Sequence, residues 1–143
     1  MRWLYVAVFL TACTDDLEPR FPADYAATYT EVRDCRSSSD HDLHRIRVLA
    51  DPAALGPYTT RTPFPVDSVV LKAEYDFGDT ACTGSVVEWT VMQKLATPET
   101  LGWVWQRVAA TRSVTTQNDS LCITCHTSCG VAPDGYDGTC TMP

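Results

Sequence analysis

Five residues near the end of this 143-residue chain, Cys122-Ile123-Thr124-Cys125-His126, restrict its fold more than any other feature. Cys-x-x-Cys-His is the attachment pattern of c-type haem: two thiols add to the porphyrin vinyl groups, and the adjoining imidazole is held where it must ligate the iron. A chain that carries this motif late must build the shelter for a large planar group from the residues that precede it. Two rival readings are weaker. Cys122, Cys125, His126 and Cys129 are too crowded in sequence for a structural zinc or iron–sulfur site, which draws ligand pairs from separate elements. A thioredoxin-like redox pair would need a βαβ pattern ahead of the motif, and none is present.

The N-terminus pairs one cation, Arg2, with an apolar run over residues 3–10 and then Leu10-Thr11-Ala12-Cys13. The run is too short to span a bilayer, and the small residues before a cysteine resemble a bacterial lipoprotein signal. That pattern divides the chain into a signal peptide (1–12), a tether (13–20) whose first residue, Cys13, carries lipid, and a single domain (21–143). The expected location is the periplasm, lipid-anchored, with Thr14 after the cysteine favouring the outer membrane. Of seven cysteines, Cys13 is then taken by lipid and Cys122 and Cys125 by haem. Cys35, Cys82, Cys129 and Cys140 remain, an even number in an oxidising compartment, with three possible pairings. Cys129 and Cys140 flank a Gly- and Asp-rich loop, so their union would clip the tail and leave Cys35 for Cys82.

Eighteen acidic residues outnumber eleven basic ones, for a net charge of −7. This balance argues against nucleic acid as a partner and offers no basic patch to anionic lipid, while it suits docking of a basic periplasmic redox partner.

Periodicity predicts an α+β fold, a twisted antiparallel β-sheet with short helices packing one c-type haem. A helix is expected over 25–33 behind Asp24, followed by a polar loop over 35–42. Residues 44–50 alternate, with Ile46, Val48 and Ala50 on one face. Asp51-Pro52 starts a helical turn that Gly56 should stop. Strands are expected over 66–76, 85–95 and 101–109, joined by short loops into a meander, with Trp89 and Val91 opposed to Glu88, Thr90 and Met92. Residues 111–120 read as polar and extended.

The position of the motif selects among haem proteins. Small cytochromes c place it early and supply a downstream methionine; here the only later methionine is Met142, and Met92 reads as core. His126 is therefore the expected proximal ligand beside an open distal position, which suits binding of a small molecule at the iron. The helical cytochromes c′ also attach haem late, but this chain lacks the sustained helical periodicity of a four-helix bundle.

Taken together, Ala50-Asp51-Pro52-Ala53-Ala54-Leu55-Gly56-Pro57-Tyr58, Pro63-Phe64-Pro65, Ser68-Val69-Val70-Leu71-Lys72, Gly102-Trp103-Val104-Trp105-Gln106-Arg107 and the haem motif resemble the cytochrome P-460 family and its cytochrome c′-beta relatives. The resemblance runs from about residue 21 to His126, and residues 128–143 are an addition to it. It implies one covalent haem c on an antiparallel sheet, usually in a homodimer. It also implies ligands that are small nitrogen compounds, hydroxylamine or nitric oxide. In the family's enzymes a lysine is bonded to the porphyrin and hydroxylamine is oxidised, whereas apolar side chains cap the iron in the nitric oxide binders. By position Lys72 is the candidate for that lysine, and Glu99 for the pocket acid that takes protons from substrate nitrogen, with Glu88 second. Lys94 reads as a solvated strand-end lysine, and His41 and His44 as surface or interface groups. The competing expectations are a non-catalytic nitric oxide-binding or electron-transfer cytochrome and a haem-free, disulfide-stapled lipoprotein.

Overall fold

The computed structural model describes residues 17–39 and 41–140; the segment read as a signal peptide, Cys13 and Met142 lie outside them. Among the described residues six strands follow one another in chain order and pair with their sequence neighbours, all antiparallel, in an α+β fold. They are β1 (Thr30–Ser37), β2 (Arg45–Ala50), β3 (Val69–Tyr75), β4 (Val86–Lys94), β5 (Trp103–Ala109) and β6 (Val114–Gln117). Three α-helices accompany them among the described residues: α1 (Tyr25–Thr28), α2 (Pro52–Thr60) and α3 (Ser120–Cys129). Among the described residues no helix is long and apolar enough to cross a membrane.

Two departures from the sequence reading concern helices. The helix expected over 25–33 ends at Thr28, and its second half becomes the edge strand β1, with Thr30 opposite Ala50 and Arg36 opposite Ile46. β-branched Thr30 and Val32 fit a pleated edge better than a short helix that buries no residue. In the opposite sense, α2 continues through Gly56 and Pro57 to Thr60. Asp51 caps its start by accepting from Ala54 N at 2.7 Å, and buried Ala54 and Tyr58 anchor it to the sheet. Tertiary packing thus overrides the helix-breaking residues.

Because side chains alternate across a strand, each central strand contributes to two separate cores. On one face Leu71, Ala73, Trp89, Val91 and Val108 pack under Phe21, with Tyr25 and Tyr29 against them. Phe21 and Tyr25 both meet the Trp89 ring, at 5.5 and 6.0 Å between centroids, and Trp89 Nε1 donates to the Tyr25 hydroxyl. Full burial of Leu71 and Val108 stabilises the fold by about 1.5–3 kcal/mol per side chain. The other face presents Ile46, Val48, Ala50, Val70, Met92, Trp103 and Trp105 to α2 and Phe64, and Cys122 and Ile123 of α3 pack against this second core.

Two disulfides hold the periphery. Cys35 of β1 joins Cys82 in the β3–β4 connection, closing a span of 47 residues. Cys129, at the end of α3, joins Cys140 and closes the tail loop.

Candidate functional site

Asp119 caps α3 by accepting from Leu121 N at 2.8 Å. The helix then places Cys122, Cys125 and His126 at i, i+3 and i+4, one above another on a single face. Cys122 is half-buried and Cys125 exposed, and among the described residues these are the free cysteines. Burial pushes the Cys122 thiol up, aided by the charge of Asp119. His126 is buried against the Trp105 ring, 4.4 Å between centroids. Its pKa is pushed down to about 4, chiefly by burial, so the ring is neutral. Nδ1 lies 2.5 Å from the Gly138 carbonyl oxygen. A carbonyl only accepts, so Nδ1 carries the proton and Nε2 keeps the lone pair that a metal requires.

A cavity of about 320 Å³ separates this helix from the second face of the sheet. Cys122, Cys125 and His126 line one side; Ile46, Val70, Lys72, Thr90, Met92 and Trp105 line the other. Strand register sets that wall. Lys72 lies opposite Val48 on β2 and Thr90 on β4, and Thr90 lies opposite Arg107 on β5. The cavity is thus mostly apolar, with one short row of polar groups.

The polar groups form a chain that runs back into the sheet. Lys72 Nζ is 2.8 Å from His41 Nε2, and His41 Nδ1 is 3.1 Å from Glu74 Oε1. His44 Nδ1 is 2.9 Å from Glu74 Oε2, and Thr90 donates to Oε1 at 3.0 Å. Glu74 is 1% exposed. Burial alone would push its carboxyl up, but the hydrogen bond and charge of His41, with the bonds from His44 and Thr90, outweigh that and hold it below the usual carboxylate range. A carboxylate only accepts, so both histidine Nδ1 atoms donate to Glu74, and His41 Nε2 is left facing Lys72 Nζ.

The fold therefore brings Lys72, Cys122, Cys125 and His126 around one space. It leaves Glu99 outside: that residue is exposed on the 3-10 turn Glu99–Gly102 and does not line the cavity. Glu88 is engaged by Arg107, whose Nη2 lies 2.7 Å from Oε2. His41 and His44, read from their polar loop as surface or interface groups, are half-buried, and each hydrogen-bonds the buried Glu74 carboxylate. Lys94 is not solvated either, because it pairs with Asp137 at 2.7 Å and lies over the Trp103 ring. Glu74 was the residue that sequence reasoning passed over, although its place two residues beyond Lys72 puts both on the same face of β3.

These residues fit a covalently held haem. Two thiols and an imidazole with a protonated Nδ1 face one apolar cavity, which is the donor set such a group needs. A compact zinc site does not fit. Ligand atoms of His126, Cys129 and Cys140 lie within 4.8 Å of one another, but the two sulfurs are bonded together and cannot serve as thiolates.

A family model described as Cytochrome P460 matches residues 22–132, from just before α1 to just beyond α3. Among curated proteins none matches the chain significantly.

Proposed function

This chain belongs to the cytochrome P460 family of haem-binding cytochromes, and we propose that it is an exported, lipid-anchored monohaem protein acting on hydroxylamine or nitric oxide. Cys122 and Cys125 would form the two thioether links, and His126 Nε2 would be the proximal ligand. When bound there, the haem supplies an iron that accepts a small ligand and exchanges electrons. The observation that carries the reading is the position of Lys72, on the cavity wall across from Cys122, Cys125 and His126.

The rest of the chemistry falls to side chains. Val70, Met92 and Trp105 give the cavity an apolar wall and leave room for a small ligand. Oxidation of hydroxylamine releases protons, and Lys72 Nζ, as the neutral amine left once its own proton has passed on, stands where the first could be taken. His41 Nε2 accepts from it, and Glu74 and His44 extend the path away from the cavity. In this reading Glu74, acting through His41, fills the acid's place that the sequence assigned to Glu99.

Substituting Lys72→Met tests the enzymatic reading. Loss of hydroxylamine oxidation by tenfold or more, with haem content unchanged, is the expected result. Equal turnover by the variant and the parent would contradict a role for this lysine. A second reading, a nitric oxide binder without turnover, draws support from the apolar character of the remaining wall. It predicts nitric oxide binding in the parent and the variant alike, and no hydroxylamine oxidation by either.

A further inference from the structure

The family match ends at residue 132, yet the group that fixes the His126 ring belongs to residue 138. The tail that supplies it is secured twice. At its ends, Cys129 and Cys140 close the loop covalently, and Gly138 N donates to Gly130 O at 3.0 Å. At its middle, Asp137 is clamped to the sheet from three directions. Its carbonyl accepts from Trp103 Nε1 at 2.7 Å, its Oδ1 from Lys94 Nζ at 2.7 Å, and its Oδ2 from Phe64 N at 3.2 Å.

The path of the tail also depends on glycine. Gly138 has φ +83°, a left-handed conformation that disfavours side chains, and an added Cβ would meet Trp103 Nε1 at 2.9 Å. At Gly130 a Cβ would run into the His126 carbonyl oxygen and the Gly138 backbone. Three elements thus converge to place one carbonyl oxygen on one imidazole nitrogen.

We infer that residues 130–140 are a proximal positioning device, in which the Cys129–Cys140 clip and the Asp137 clamp hold the Gly138 carbonyl on His126 Nδ1. The inference rests on the haem reading above and adds to it what sets the strength of the iron ligand. A hydrogen bond from Nδ1–H to a fixed carbonyl locks the tautomer, orients the ring and makes Nε2 a stronger donor. Such a donor stiffens the iron–histidine bond and favours the oxidised metal. A tail that merely stapled the C-terminus would affect stability and leave that bond alone.

The test uses haem-loaded protein. Resonance Raman spectroscopy of the reduced form reads the iron–histidine stretch, and redox titration reads the potential. In the double variant Cys129→Ala with Cys140→Ala, the stretch is expected to fall in frequency and the potential to rise. The double variant Cys35→Ala with Cys82→Ala loses the remote disulfide instead and is expected to keep both parental values. Asp137→Ala loosens the same loop without touching a cysteine and is expected to shift both readings in the same direction by less. It decides the matter if the first double variant fails to accumulate. An unchanged stretch in the tail variants overturns the inference. Covalent haem, weighed by mass spectrometry in every sample, separates the two failures: haem with an unchanged stretch sinks the positioning role alone, whereas a haem-free parent sinks the cytochrome reading beneath it.

Discussion

The two faces of the central sheet come from the same strands and do different work. On β3, Val69, Leu71 and Ala73 face a closed core, whereas Val70, Lys72 and Glu74 face the cavity side. On β4, Trp89 and Val91 belong to the first set and Thr90 and Met92 to the second. The closed face satisfies itself with aromatic and aliphatic contacts under the N-terminal segment. The other face keeps an open volume and a buried carboxylate with three hydrogen-bonded partners, features that weaken a core and that a binding site needs. A two-residue period lets one strand carry both, so rigidity on one side positions chemistry on the other.

Substitutions can break or sharpen that contrast. The largest effect is expected at Trp89→Ala, which removes the centre of the closed face. Chemical denaturation should show a loss of about 3–5 kcal/mol, with nitric oxide affinity of the folded protein unchanged; a weakened affinity would mean that the faces are coupled. Replacing both Cys35 and Cys82 with alanine should lower stability by about 2–4 kcal/mol in thermal unfolding under oxidising conditions, again without touching the cavity.

On the cavity face, Glu74→Gln should cost about 1–3 kcal/mol by leaving two half-buried histidines poorly satisfied. It should also change the acid limb of the stability profile. The Glu74 carboxyl sits below its ordinary value of 4.5, so the unfolded chain takes up the proton first as pH falls. That contribution is full above about pH 4.5 and is lost as pH drops towards the folded value, and the variant should flatten this limb. An acid limb identical to the parent's would show that Glu74 is not held ionised. The smallest effect is expected at Glu99→Gln, which should alter neither stability nor ligand affinity; a clear loss of hydroxylamine oxidation would restore the acid role suggested by its position in the sequence.

Much of the fold was legible because the strands alternate cleanly. Ile46, Val48 and Ala50 announce one face of β2, and Trp89 with Val91 one face of β4. The segment after Tyr25 misled because four helical residues give way to β1, a strand whose pairing partner lies across a loop and leaves no local trace. α2 misled because its stability lies in contacts of Ala54 and Tyr58 that Gly56-Pro57 cannot reveal. For the site, Cys122, Cys125 and His126 are readable from spacing alone, since i, i+3 and i+4 is a helical property. Lys72 was readable by resemblance, but Glu74 was not, because an isolated acid on a strand looks the same whether it faces water or two histidines. His41 and Gly138 reach the site from loops, where no periodicity points to a partner.

The measurement that tests the central claim most directly is the mass and visible spectrum of the protein produced alongside a cytochrome c maturation system. The account predicts one haem bound covalently, lost when Cys122 and Cys125 are both replaced by alanine. A main absorption band shifted strongly to the red would add a porphyrin modified at Lys72. A folded protein carrying both disulfides but no covalent haem would contradict the account.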